Sequence, residues 1–283
     1  QANYVAWKFY LNLAKYLNPN FPSYETLYAE NFEVIEQYSE AKKIYKKLKK
    51  IGSNYSWHAS KRIASILKKQ EKKSEAINYL TDSFLEIKNP KIYEIFDFAE
   101  FLKNNEQFQD SIKYYSKLIK LIDKNHNLYA QALDGRGVSY ERTNQWDKAE
   151  IDLLNSLSIS PDDAYVINYL AYSWIEKGIN IEKSLDMLKK ANLLRPNDGY
   201  ITDSLGWALF KLKKYKEAKK YMQLAVRLMA SDPVINDHYA DVLWINNNFI
   251  QARYYWSYVL NLEETEDKLK KEIEHKLLFG LKS

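Results

Sequence analysis

Ser204-Leu205-Gly206-Trp207, followed by Tyr215-Lys216-Glu217-Ala218 and Leu224-Ala225, decides how this chain folds. Gly206 and Ala218 are small residues twelve positions apart. The pairing recurs at Ala29/Ala41, Ala64/Ala76, Ala99/Ser111, Gly137/Ala149, Ala171/Ser184 and Ala240/Ala252, every 34 to 38 residues. A period of that length with no strand alternation inside it indicates an all-α helix-turn-helix solenoid. Small side chains at the crossing of two helices let the axes approach closely, while larger neighbours such as Tyr140 and Leu153 fill the space beside them. Function is then expected on a surface rather than in an enclosed pocket.

Working outward, a bulky residue stands three before the second small residue in most units: Tyr38, Phe108, Trp146, Ile181, Tyr215 and Phe249, with Lys73 the exception. Pro161 and Pro196 follow second helices and Pro233 opens a first helix, positions where the missing N–H costs little. The register predicts first helices beginning near Pro22, Trp57, Ile92, Ala130, Ala164, Gly199 and Pro233. That gives one solenoid domain with repeats at 22–56, 57–91, 92–129, 130–163, 164–198, 199–232 and 233–263. The extra residues of the 38-residue spacing are predicted in a connection at Asp123 to Leu128, and the extra residue between Ala171 and Ser184 in the turn Gly178-Ile179-Asn180.

These units resemble the tetratricopeptide repeat, and the resemblance covers nearly the whole chain. The segment Tyr165 to Leu260, with Asn168-Tyr169-Leu170-Ala171-Tyr172, Asp203 to Trp207 and Ile235-Asn236-Asp237-His238, is similar to the C-terminal half of long envelope-associated repeat proteins of proteobacteria, especially alphaproteobacteria. The resemblance implies a right-handed superhelix and a protein-binding role. Some relatives in that group are adaptors that present substrates to a protease.

At the N-terminal end, residues 1–21 read as a half-repeat, with Trp7, Leu11, Ala14 and Pro19 at second-helix positions. The expectation is a fragment of a longer chain beginning at Gln1, because a cut solenoid exposes apolar surface. Residues 264–281 read as an amphipathic capping helix with Leu269, Ile273, Leu277 and Leu278 on one face.

Zero cysteines excludes disulfides and thiolate chemistry. No stretch approaches the roughly 18 apolar residues of a membrane span. The net charge of +5 is uneven, with 21 Lys+Arg against 15 Asp+Glu in residues 1–130. The densest run is Lys42, Lys43, Lys46, Lys47, Lys49 and Lys50, in which Lys42, Lys46, Lys49 and Lys50 share one helical stripe. It reads as a solvated face or as a contact for phosphate, anionic lipid or an acidic partner. Nucleic acid is not favoured, since only Tyr45 is interleaved with the lysines.

Catalytic chemistry finds no support. His58, His126, His238 and His275 have no metal-ligand spacing and read as surface or interhelix residues. Gly135-Arg136-Gly137 lies at helix-packing positions without the preceding strand of a dinucleotide fingerprint. Asp162-Asp163 and Glu263-Glu264 fall at unit junctions, where carboxylates cap helices. No catalytic residue, metal or cofactor is expected.

In the resembled family, positions 2, 5, 9, 12 and 13 of each first helix face the concave groove. Carried onto this chain they supply Asp134 and Arg142; Tyr165, Asn168 and Tyr172; Tyr200, Asp203, Trp207, Phe210 and Lys211; and Asp237, Asp241 and Trp244. Aromatic residues give large, rigid contact area. Aspartates stand where chaperone-binding members carry a cationic carboxylate clamp, so the ligand implied is a neutral or basic, partly apolar protein segment. The sequence reading is a non-catalytic interaction scaffold or adaptor of the bacterial envelope or periplasm. A structural or oligomerising module, an accessory domain presenting substrates to a protease, and a cytoplasmic location are the alternatives, and a homo-oligomer is possible.

Overall fold

The structure, a computed structural model, describes residues 2–18 and 22–281. Gln1, Pro19 and the side chain of Trp7 lie outside the described residues. Among the described residues there are sixteen α-helices and no strand. First helices of the pairs are α2 (Pro22–Val34), α4 (Ser53–Lys69), α6 (Ile92–Lys103), α8 (Tyr129–Arg142), α10 (Ala164–Glu176), α12 (Gly199–Lys211) and α14 (Pro233–Ile245). Second helices are α3 (Tyr38–Leu48), α5 (Lys73–Leu85), α7 (Phe108–Leu121), α9 (Trp146–Ile159), α11 (Ile181–Leu194), α13 (Tyr215–Leu228) and α15 (Phe249–Leu260). Helix α1 (Ala2–Leu17) precedes them and α16 (Asp267–Phe279) follows.

All fourteen small residues of the seven pairs are buried. In the third pair Ser111 Oγ donates to Ala99 O at 3.0 Å, tying the helices where they cross. The bulky residues ahead of the second small residue are the first residues of α3, α7, α9, α11, α13 and α15. Asp163, Asp198 and Asp232 cap α10, α12 and α14, each accepting from backbone N–H groups of the first turn, a bond that stabilises a helix by about 1 kcal/mol. Glu263 and Glu264 do not act this way. The residue before α16 is Glu266, and its side chain makes no capping bond.

Helix α4 begins at Ser53, four residues before the expected Trp57, because Ser53 to Ser56 contain no breaker and the helix runs back to Gly52. Residues 122–128 form the long connection between α7 and α8, and residues 177–180 the lengthened turn between α10 and α11. Both insertions are therefore accommodated outside the helices.

The seven turns within pairs share one device that the sequence reading did not anticipate. Seven residues after each first small residue comes a residue with positive φ: Glu36, Glu71, Glu106, Asn144, Gly178, Lys213 and Asn247. The next N–H reaches back five residues, as in Gln37 N to Phe32 O at 2.8 Å and Lys214 N to Leu209 O at 2.9 Å. This is the Schellman closure, in which a left-handed residue lets the helix's last carbonyls find donors.

The chain divides into two compact units, Gln1–Ala149 and Glu150–Ser283. The core of the first stacks Phe84 on Phe98 at 4.2 Å, with Trp57 and Tyr114 edge-on. Buried Glu33 accepts from Tyr45 Oη at 2.7 Å and from Arg62 at 2.9 Å. The core of the second includes Leu205, Met222, Trp256 and Ile273, and at Gly206 an added Cβ would lie 3.0 Å from Met222 Cγ.

Candidate functional site

The expected groove residues fall into three environments. Asp134 and Arg142 lie on α8 in the first unit, half-buried and exposed respectively. The remainder lie in the second unit on α10, α12 and α14, and there the sequence reading and the structure diverge residue by residue.

On α14 the carboxylates of Asp237 and Asp241 are covered by α16 of the same chain, and half-buried Trp244 packs against Gly280 just beyond it. Lys276 Nζ sits 2.8 Å from both Asp237 oxygens and 2.9 Å from the Asp241 carboxylate, while Trp256 Nε1 donates to Asp241 Oδ1 at 3.0 Å. Asp237 and Asp241 are 6% and 5% exposed, and both are held by Lys276. Burial, reinforced by the charge of Asp237 and opposed by Lys276, pushes the Asp241 carboxyl up to about 6. Burial disfavours the Lys276 ammonium, yet the two carboxylates outweigh it and raise its pKa. Trp244 is enclosed by Phe249 and Trp256 at 4.6 and 5.3 Å, and by Gly280, where an added Cβ would lie 2.2 Å from the indole. Gly280 can close on the ring because it has no Cβ and takes φ +74°. Of the four apolar residues assigned to the inner face of α16, Ile273 is buried and Leu269 and Leu277 pack on the core, but Leu278 is 73% exposed.

On α12, Trp207 is only 8% exposed. Its indole is sandwiched between Phe210 at 4.9 Å and His238 at 4.0 Å, both nearly parallel to it, and Nε1 donates to Glu176 Oε1 at 2.7 Å. Lys211 Nζ lies 4.8 Å from the ring centroid, within cation–π range. His238 Nδ1 is 2.9 Å from Asp203 Oδ2. Burial opposes charge on His238, but Asp203, Asp237 and Asp241 prevail and hold the imidazole above its ordinary value. A base oriented by a carboxylate is half of a nucleophile-activating arrangement; here the imidazole face is occupied by Trp207, which makes the pair a packing element. Among the described residues no group of three or more His, Cys, Asp and Glu could hold a metal ion.

What stays accessible is the surface of α10 and α12. Tyr165 and Tyr200 are 55% and 54% exposed. Lys211 and Glu176 are exposed, and Asn168, Tyr172 and Phe210 are half-buried. Burial, then Glu176 and Asp203, raise the Tyr172 hydroxyl pKa, which keeps it a neutral donor. Among the described residues, two buried acceptor atoms on these adjacent helices have no hydrogen-bond partner: Asn168 Oδ1 and Asp203 Oδ1. A buried polar atom without a partner costs about 1–3 kcal/mol.

Sequence reasoning placed these residues on the correct helices and missed the pairing. Asp203 and His238 are 35 residues apart, one repeat period, so equivalent stretches of neighbouring first helices bring them together. That spacing was a usable signal. Lys276 gave none, since its role depends on where α16 docks.

A family profile described as tetratricopeptide repeat matches residues 6–265. The chain is 28% identical over 129 residues to a TPR repeat-containing protein of Pseudomonas aeruginosa, an alignment covering 46% of this chain and 21% of that relative. A tetratricopeptide repeat protein from Parabacteroides merdae has a similar fold, with a TM-score of 0.70 and 13% identity over 89% of this chain and 97% of its own. A thermophilic TPR protein of Thermus thermophilus superposes with a TM-score of 0.56 at 14% identity, over 67% of this chain and 100% of its own.

Proposed function

The chain belongs to the tetratricopeptide repeat family, whose members generally serve as non-catalytic protein–protein interaction scaffolds, and we propose that its partner segment docks on the inner surface of α10 and α12. The observation that carries this reading is the accessible polar and aromatic surface of these helices, half-buried Asn168, Tyr172 and Phe210 together with exposed Glu176. Acceptors beside apolar rings suit a segment that offers N–H donors next to an aliphatic or aromatic side chain, which favours the neutral or basic, partly apolar ligand. Tyr165 and Tyr200 add exposed aromatic area. Trp207 serves as the wall behind Phe210, and half-buried Trp244, packed on Trp256 and Gly280, lies outside this surface on α14. Asp237 and Asp241 are left out of this surface as selectivity elements, because both are held by Lys276 on α14.

The bacterial envelope is the compartment we propose, on the resemblance read from the sequence of residues 165–260 alone. Fractionation of cells expressing the tagged full-length protein tests it, with recovery in the cytosol as the contrary result. The docking surface is tested by selecting phage-displayed peptides on the immobilised protein and measuring their affinities for wild type, Asn168→Ala and Phe210→Ala. Enriched peptides should pair Lys, Arg, Asn or Gln with a large apolar residue, and each substitution should weaken them about tenfold without changing helicity. Acidic enriched peptides, or affinities untouched by both substitutions, would refute the assignment.

A further inference from the structure

The lysine run of α3 separates in the structure into two groups. Lys42 Nζ donates to Gln70 Oε1 at 3.0 Å and Lys43 to Glu40 Oε1 at 2.7 Å, so both are engaged. Lys46, Lys47, Lys49 and Lys50 instead line a single open cleft of about 600 Å³, together with Ser56 at the start of α4 and Tyr79 and Glu86 on the side of α5. Lys47 joins this group and Lys42 leaves it, which differs from the helical stripe expected from spacing.

Within the cleft only Lys49 is tied down. Its Nζ donates to Ser83 Oγ at 3.1 Å, lies 4.0 Å from Glu86 Oε2 and stands 5.1 Å from the Tyr79 ring centroid. Lys46, Lys47 and Lys50 are exposed, and among the described residues they form no ion pair. Like charges three and four apart on one helix repel by a few tenths of a kcal/mol per pair. The other wall brings no relief: the first turn of α4 has no acidic residue and no side-chain cap, and a helix N-terminus favours negative charge.

We propose that this cleft binds an acidic peptide segment of a partner protein. Size and shape choose among anions. A water's share of liquid volume is about 30 Å³, so a single phosphate would fill a small part of the roughly 600 Å³ cleft and reach one or two of the ammonium groups. A flat bilayer would meet the rim and leave Lys49, whose side chain is 22% exposed, uncovered. A short run of Glu and Asp residues can enter and place carboxylates against several lysines at once. This occupant is opposite in charge to the one proposed for α10 and α12, so each surface can fail without the other.

The test uses the full chain and a fluorescein-labelled hexapeptide of alternating Glu and Asp, read by fluorescence anisotropy at about 50 mM and 300 mM salt, because exposed ion pairs weaken as screening shortens. Binding should be present at low salt and fall at high salt. The triple substitution Lys46→Gln, Lys47→Gln, Lys50→Gln should weaken it about tenfold, each pair contributing on the order of 0.2–1 kcal/mol, and each single substitution by a smaller factor. Lys213→Gln, Lys216→Gln, Lys220→Gln, which removes equal charge from exposed positions elsewhere, should leave it within twofold. The proposal is overturned if the peptide does not bind, if both triple variants lose equally, or if the single cleft variants are all indistinguishable from wild type. It is also overturned if inorganic phosphate at equal concentration displaces the peptide, or if phosphatidylglycerol vesicles rather than peptide depend on the three lysines.

Discussion

Replacing Lys276 by Met would keep the aliphatic stem of the α16 side chain and remove the one cation bound to Asp237 and Asp241. The side chains of the three residues are 18%, 9% and 7% exposed, so the two carboxylates would be left in a site with almost no water. Removing one partner of a buried pair costs about 3–5 kcal/mol, and that figure should hold near pH 8, above the value of about 6 to which the Asp241 carboxyl is pushed. At lower pH the loss must shrink. The Asp241 carboxyl already titrates at about 6 with Lys276 in place, and without the ammonium it rises further. A folded-state pKa raised above the unfolded carboxylate value of about 3.9 gives stability that is complete below that value and is lost as pH climbs through the folded pKa. Each further unit of rise therefore relieves about 1.4 kcal/mol of the variant's deficit at acid pH. Amide hydrogen exchange over residues 267–279 reads the local opening of α16. A loss of about 3 kcal/mol at pH 8 corresponds to exchange faster by about a hundredfold, with a much smaller factor at pH 5 and little change in Lys268→Met, whose side chain is 87% exposed. Protection within twofold of wild type at pH 8, or equal losses at both pH values, would refute the reasoning.

Further substitutions test the packing account. Glu36, Glu71, Glu106 and Lys213 hold left-handed backbone in the turns within pairs, a conformation that costs an ordinary residue about 1–2 kcal/mol; Gly at each should raise the urea midpoint by the equivalent of about 1 kcal/mol, whereas Gly178→Ala should lower it. Gly135→Ala would place a Cβ 2.3 Å from the ring of fully buried Tyr115, and that overpacking should cost about 1–3 kcal/mol in thermal unfolding, where an unchanged Tm would contradict the close approach.

The repeat was legible because helix crossings demand small residues at fixed spacing, and the burial of every pair from Ala29/Ala41 to Ala240/Ala252 shows that demand being met. Insertions were legible for the same reason: Gly178 and the 122–128 connection sit where the period is broken. Turn conformation was hidden because Glu36, Glu71 and Glu106 are not turn-forming residues, although their offset of seven from each small residue was constant. The groove was half legible. Spacing identified which residues lie on the first helices, but exposure depends on what covers them. Lys276 neutralises Asp237 and Asp241, Gly280 closes on Trp244, and His238 takes the charge and the ring face that made Asp203 and Trp207 look available.

The most direct test of the docking surface is hydrogen exchange of the full chain with and without the tightest peptide from the display selection. The account predicts slowed exchange in α10 and α12, with α15 and α16 unchanged and about tenfold more peptide needed for the same effect in Asn168→Ala. Protection confined to α15 and α16, or no protection of α10 and α12 at saturating peptide, would contradict it.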